Sequence, residues 1–310
     1  MMTRLQSMAG RIASFVSQDS ALDSSLPPPL LTRGWFAILM ALVAARLALV
    51  KGLGVCAVGA SPHDDALFVR LAESISRGEW LGAYDRMTLI KGPLYSLFIA
   101  GSHALGVPLQ MAQQFLYLGF CVVLLFAVRP LFRNSWALLG MTAVVMFNPL
   151  SFGVGQMASV IREGIYPAVT GLTLACAMGL LLRAGAPGHQ ALYWALGLGV
   201  SAGAFWLTRE EGLWVVPSLI LLLGFAAVVA STVRRRFARL ITVVGVPVIV
   251  SGLIVAAVCL ENKIHYGLFT TVEFKRREFV GAYGALARVK PAPVISRIVV
   301  SRRRGNGCMR

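Results

Sequence analysis

The sequence predicts an all-α, polytopic helical membrane protein of about seven transmembrane helices, with two amphipathic juxtamembrane helices in its first outer loop. Three observations lead there. First, 57% of the 310 residues are hydrophobic and only 14% charged, with a mean hydropathy of +0.74, which leaves too little polar surface to cover a soluble globule of this size. Second, the apolar residues fall into runs near the length of about 20 that a bilayer core requires. Third, Lys and Arg outnumber acids 29 to 13, and the excess sits in loops, as cytoplasmic loops facing anionic headgroups demand. No basic-aromatic module or groove-reading motif accompanies that charge, so the composition argues against nucleic acid as a partner and for membrane lipids.

Residues 1–33 form a cytoplasmic N-terminal segment, in which Pro27-Pro28-Pro29 and scattered charge replace the short apolar stretch of a cleavable signal. The run from Trp35 to about Ala60 is long enough to stay as a signal anchor. Apolar runs then follow at 111–128, 135–152, 165–182, 191–207, 213–231 and 240–260. An eighth stretch, GPLYSLFIAGSHALGV at 92–107, is short, opens on Pro93 and carries Ser96, Ser102 and His103, which reads as an interfacial helix. Charge supports leaving it out of the count. With 92–107 not crossing and the N-terminus inside, Arg129/Arg133, Arg183 and the cluster Arg234-Arg235-Arg236…Arg239 all fall on the cytoplasmic side; a crossing there would place the Arg234 cluster outside.

Residues 34–260 are thus a transmembrane domain with an outer loop at 61–110, and 261–310 a basic C-terminal tail ending in SRRRGNGCMR, which has no apolar period. By parity the tail begins outside. The five cysteines show no CxxC or Cys/His spacing and read as small apolar residues, not as a disulfide framework or zinc site.

The same topology gathers three acid-bearing segments at the outer face. Ser61-Pro62-His63-Asp64 has the form of a helix start, with Ser as N-cap and Pro at N1. Leu67, Leu71 and Ile75 recur at i, i+4 and i+8, so 64–77 reads as an amphipathic helix lying on the membrane and ended by Gly78. One acid satisfies such a cap, and Asp65 is left over. Two adjacent carboxylates there suit a general base or a divalent cation held against a phosphate. Glu163, beside Arg162 in SVIREGIYP, and Arg209-Glu210-Glu211 open the other two segments. Each admits a plainer reading as acids at helix N-termini with interfacial arginines. Arg46, near the middle of the first run, faces the bundle or snorkels. Trp80, Tyr84 and Tyr95 read as interfacial anchors.

Asp64-Asp65-Ala66-Leu67-Phe68, Arg77-Gly78-Glu79-Trp80 and Lys91-Gly92-Pro93-Leu94-Tyr95, with Asn148-Pro149 and Glu163, resemble the first loop and following helices of bacterial GT-C glycosyltransferases, the membrane enzymes related to protein O-mannosyltransferases and aminoarabinose lipid A transferase. The resemblance covers roughly residues 35 to 185. It implies an inner-membrane enzyme with an outward-facing site that moves a sugar from a polyprenyl-phosphate donor to a lipid, glycan or protein acceptor. It places the first-loop catalytic or metal-associated acid at Asp64 and the second-loop acid at Glu163, the pair that would hold a divalent cation. Asp65, Lys91, Tyr95, Arg162, Arg209 and Glu210 are then candidate substrate contacts. Arginine's planar fork matches a departing phosphate better than lysine's point charge, which favours Arg162 or Arg209 for that task. Family members are longer, so a chain that stops soon after its seventh run in SRRRGNGCMR also carries the marks of a truncated or frame-shifted C-terminus. Two rival readings are a transporter or flippase, whose polar groups would line a path at mid-bilayer, and a non-catalytic protein of envelope assembly.

Overall fold

The structure is a computed structural model describing residues 33–51, 64–152, 159–186, 189–209, 212–231 and 236–288, and among these residues it is helical with no strand. The helices are α1 (Arg33–Val50), α2 (Asp64–Ser76), α3 (Leu94–Ala104), α4 (Leu109–Val128), α5 (Ser135–Met146), α6 (Tyr166–Arg183), α7 (Gln190–Thr208), α8 (Val216–Ser231), α9 (Arg236–Leu240), α10 (Val246–Tyr266) and α11 (Arg277–Arg288). Every apolar run contains a helix. Five helical stretches are long and apolar enough to cross a membrane: Arg33–Val50, Leu109–Leu131, Tyr166–Arg183, Gln190–Thr208 and Phe237–Tyr266. The other two are shorter, Ser135–Met146 and Val216–Ser231.

Local sequence explains the boundaries. The Asn134 side chain caps α5 by accepting from the Trp136 N–H at 2.9 Å. That helix stops at Met146 because Asn148 precedes Pro149, and the residue before a proline is driven out of the α region. The 92–107 stretch forms only the 11-residue α3. Gly78, at φ +81°, ends the turn after α2, and Gly267, at φ +72°, closes α10 while its N–H bonds the Lys263 carbonyl. Between α9 and α10 the backbone widens into a π-turn at Ile241–Gly245; Pro247 has no N–H to offer the Val243 carbonyl and its ring would crowd it, which the wider turn relieves.

The described residues up to Thr271 form one compact unit, within which α10 extends to Tyr266. Helix α6 lies at its centre, packed on α4, α7 and α8, with α10 against α7. Small residues set these approaches: Gly179 faces the Trp194 ring, and Gly199 and Gly203 face Val250 and Ile254. Cys176, Leu180, Ala195, Leu198 and Val229 fill the core there. Cys121, Cys176 and Cys259 are buried and free, while Phe36, Leu49, Phe115, Val144, Leu221 and Leu253 are exposed on the outside of the helices. An apolar exterior around a packed interior is the surface a lipid solvent requires.

The bundle has two distinct ends. At one, Trp35 donates to the Ser135 carbonyl at 3.2 Å, and Arg183 donates to the carbonyls of Phe126 and Ala127 at 2.7 and 3.1 Å. Arg33, Arg129 and Arg133 belong to the same end by chain position. The other end carries α2, α3 and the loop between them. Helix α2 does not present its apolar side outward, as a helix lying on a membrane would. Leu67 and Leu71 pack with Leu81, Leu89 and Tyr266, and Phe68 with Tyr95, Val160 and Ile165. Residues 272–288 belong to a second unit, a short 3-10 turn at Glu273–Lys275 followed by α11.

Candidate functional site

Asp64 and Asp65 occupy the first turn of α2, where unsatisfied backbone N–H groups favour negative charge. Successive helical residues point about 100° apart, and the two acids have different surroundings. Asp64 stays partly exposed with its Oδ2 3.4 Å from the Lys91 ammonium. Asp65 is only 8% exposed. One turn on, the buried Phe68 ring meets Tyr95 edge-on at 5.0 Å. Tyr95 is wholly enclosed and its hydroxyl accepts from Gln113 Nε2 at 3.2 Å. The expected interfacial anchor is thus an interior residue, because α2 and α4 close over it.

Gln113 also abuts the second acid-bearing segment. Arg162 and Glu163 lie in a 3-10 turn, Arg162–Gly164, that opens α6, with Arg162 buried and Glu163 half-buried. A side chain at Gly164 would overlap the Gln113 amide. Burial pushes the Tyr95 phenol well above its ordinary pKa, the Gln113 hydrogen bond opposes this, and the charges of Asp65 and Glu163 both add to the rise. The two acid-bearing segments thus converge on the Tyr95–Gln113 pair, α2 through Phe68 and the Arg162–Gly164 turn through Gly164.

The third segment joins through backbone. Gly92 lies so close to the end of α7 that a Cβ there would overlap the Leu207 carbonyl oxygen and sit 2.9 Å from its carbon. Two residues on, the Arg209 guanidinium stands 5.0 Å from the centre of the Tyr166 ring; that ring stacks on Phe205, and the Tyr166 hydroxyl accepts a 2.6 Å hydrogen bond from Trp214 Nε1. Asp64, Asp65, Lys91, Tyr95, Arg162, Glu163 and Arg209 are thus drawn to one end of the bundle. Ser61, His63, Glu210 and Glu211 lie outside the described residues.

The loop between α2 and α3 is fastened at both sides. Trp80 Nε1 donates to Asn262 Oδ1 at 2.7 Å and the Tyr266 hydroxyl donates to the Gly82 carbonyl at 2.8 Å, which ties the loop to the end of α10. Within it, Asp85 Oδ1 accepts from the Met87 N–H at 2.8 Å and the Thr88 hydroxyl at 2.9 Å, while Oδ2 lies 2.5 Å from Arg70. The Arg70 hydrogen bond holds the Asp85 carboxyl well below the usual carboxylate range, against the opposing effect of burial. A depressed folded pKa adds stability above the unfolded value, about 3.9, and loses it as pH falls through the lower folded value. Hydrogen exchange at Met87 and Thr88 should therefore stay protected near neutrality and open only in strong acid. Asp85→Asn should flatten that acid dependence at a cost of under about 1 kcal/mol, since the Arg70 pair is exposed.

Gln113, Asn262 and Tyr266 belong to no motif in the sequence, and Trp80, which reads there as an interfacial anchor, instead clasps Asn262. Gln110, Gln113 and Gln114 follow helical spacing inside the apolar run LQMAQQFLYLGF, and amides buried in a span need partners; that was the available signal. Arg46 is interior and fully enclosed. Its guanidinium lies between the Tyr117 and Phe152 rings at 4.3 and 4.4 Å and donates to Gln114 Oε1 at 2.8 Å, to the Ser151 hydroxyl at 3.2 Å and to the Met146 carbonyl.

Among the described residues no three His, Cys, Asp or Glu side chains come together as a metal-holding group, and Asp64 lies 3.4 Å from the Lys91 ammonium. No family model matches the chain, and no curated protein and no solved structure is significantly similar to it.

Proposed function

We propose that this protein is a membrane glycosyltransferase of the GT-C type, working at the non-cytoplasmic face with its arginine-bearing end (Arg33, Arg129, Arg133, Arg183) in the cytoplasm. The reading rests on the first-loop and second-loop motifs, and one observation supports it above the rest: Asp64/Asp65, Lys91, Arg162/Glu163 and Arg209, from four separate segments, gather at one end of an apolar bundle. Acids and arginines buried between helices, as Asp65 and Arg162 are here, usually serve a site.

In this proposal the donor is a sugar linked to a polyprenyl phosphate, its lipid tail in the bilayer beside the bundle. The acceptor hydroxyl oxygen attacks the anomeric carbon and its proton passes to the Asp64 carboxylate. The bond from the anomeric carbon to the phosphate oxygen breaks, and polyprenyl phosphate leaves with both electrons of that bond. Positive charge builds on the ring in the transition state, which a nearby carboxylate such as Glu163 stabilises. Arg209 and Lys91 flank the rim and neutralise the leaving phosphate. The Lys91 ammonium stands 3.4 Å from Asp64 Oδ2, beside the carboxylate that takes the proton. Tyr95, enclosed and bonded to Gln113, holds the two acid-bearing segments in register.

The test is transfer of radiolabelled sugar from polyprenyl-phosphate donors in membranes carrying the wild type, Asp64→Asn or Glu163→Gln. A positioned base contributes about 10²–10⁴-fold, so Asp64→Asn should lose about that much, with a smaller loss for Glu163→Gln. Unimpaired transfer in both variants would end the assignment. A transporter would need polar groups lining a path at mid-bilayer; Arg46 is enclosed instead, its guanidinium held by two rings and bonded to three acceptors.

A further inference from the structure

Helix α11 carries an exposed apolar face. Phe279, Val280, Tyr283 and Leu286 recur at i, i+1, i+4 and i+7, which places them on one side of a helix. They are 49%, 57%, 69% and 75% exposed, and no residue of the helix is buried. Arg277, Gly281, Gly284 and Arg288 fall on the opposite side. A 12-residue helix carrying two glycines is marginal in water by itself. Such an element needs a partner for its apolar side.

Charge identifies the partner. Residues 272–310 hold ten Lys and Arg against two acids, Glu273 and Glu278. Half of the chain's formal net charge of +16 is therefore carried by this last segment. Lys275, Arg276 and Arg277 stand at the start of α11 and Arg288 at its end. The segment is also tethered to a bilayer: residues 267–276 alone separate it from Tyr266, where the last membrane-length helix stops. At no more than about 3.6 Å per residue, those ten residues keep the start of α11 within roughly 36 Å of the end of α10. An apolar side, flanking cations and a short tether to a span are together the properties of an interfacial helix.

We propose that α11 lies in the membrane interface, with Phe279, Val280, Tyr283 and Leu286 inserted at the acyl boundary and Lys275, Arg276, Arg277 and Arg288 on anionic phospholipid headgroups. The inference is independent of the proposed chemistry, since it uses none of its residues.

The experiment uses the full-length chain without its five native cysteines, reconstituted into nanodiscs of phosphatidylcholine alone or mixed with phosphatidylglycerol. Spin labels are placed one at a time at 280, 283 and 286 and, for comparison, at 281 and 284. In the anionic discs, labels at 280, 283 and 286 should be several-fold less accessible to an aqueous nickel chelate, and more accessible to oxygen, than those at 281 and 284. The contrast should weaken in phosphatidylcholine alone and when Lys275, Arg276, Arg277 and Arg288 are all changed to Gln. Equal accessibility around the helix would overturn the proposal. So would a contrast indifferent to phosphatidylglycerol and to the four Gln changes, which would point to a protein partner, or one that appears only on adding nucleic acid.

Discussion

Gly92→Ala should cost about 3 kcal/mol or more, the upper end of what overpacking does, and abolish the site with it. Most overpacking is relieved by a side chain turning aside, but here the atom in the way is the Leu207 carbonyl oxygen in the last turn of α7, and backbone in a helix cannot rotate out of the path. The Lys91–Tyr95 segment and the end of α7 would have to part, separating Lys91 and Asp64 from Arg209. Unfolding in mixed micelles should show a large loss of stability. Gly101→Ala, where a Cβ meets nothing, is the matched control and should be neutral or slightly stabilising, as replacing glycine inside a helix usually is.

Arg46→Gln is expected to be the second most damaging change. The guanidinium unites α1 with Gln114 of α4, with the Met146 carbonyl at the end of α5 and with Ser151 beyond it. Removing it orphans buried acceptors at about 1–3 kcal/mol for each one left without a partner. It also removes two ring contacts, each of the kind worth about 2 kcal/mol when desolvated. These losses are not additive, but their direction is common. Arg46→Lys should recover only part of the stability, because an ammonium cannot fill the plane between two rings or reach three acceptors from a fork. The same unfolding assay, read as wild type above Lys above Gln, checks this; equal stability of all three would show that the sandwich holds nothing together.

Where the sequence determined structure by period and punctuation, it was readable. The apolar runs mark helices, Gly78 ends α2, and the short 92–107 stretch with Pro93 at its start makes an 11-residue helix. What depends on a partner was not readable. Helix α2 has a stripe that fits a membrane surface or a protein groove equally well, and only the packing of Leu81, Leu89 and Tyr266 against it decides for protein. Tyr95 has the composition of an interfacial anchor, and its enclosure depends on Phe68 and Gln113 arriving from other helices. The run at 135–152 counts as a full span by hydropathy, yet Asn148-Pro149 breaks it and α5 is left 12 residues long. The α11 stripe is masked in sequence because the strongly basic residues around it dominate the composition.

Of the candidate site, the acids and arginines were visible as exceptions in an apolar chain, and the structure brings the described ones to one end. The connectors were not visible. Gln113 and Asn262 are ordinary polar residues in sequence, and only the fold shows one bridging Tyr95 to the Glu163 turn and the other receiving Trp80.

The central claim is that Asp64, Glu163 and Arg209 share one rim of the bundle, facing away from the cytoplasm. Its most direct test is labelling of single cysteines at 64, 163 and 209, and at 133 and 183, by a membrane-impermeant maleimide in intact cells and in inverted vesicles. The account predicts that the first three react only from the outside and the last two only from the cytoplasmic side. Reaction of positions 64 and 163 from opposite sides would contradict it.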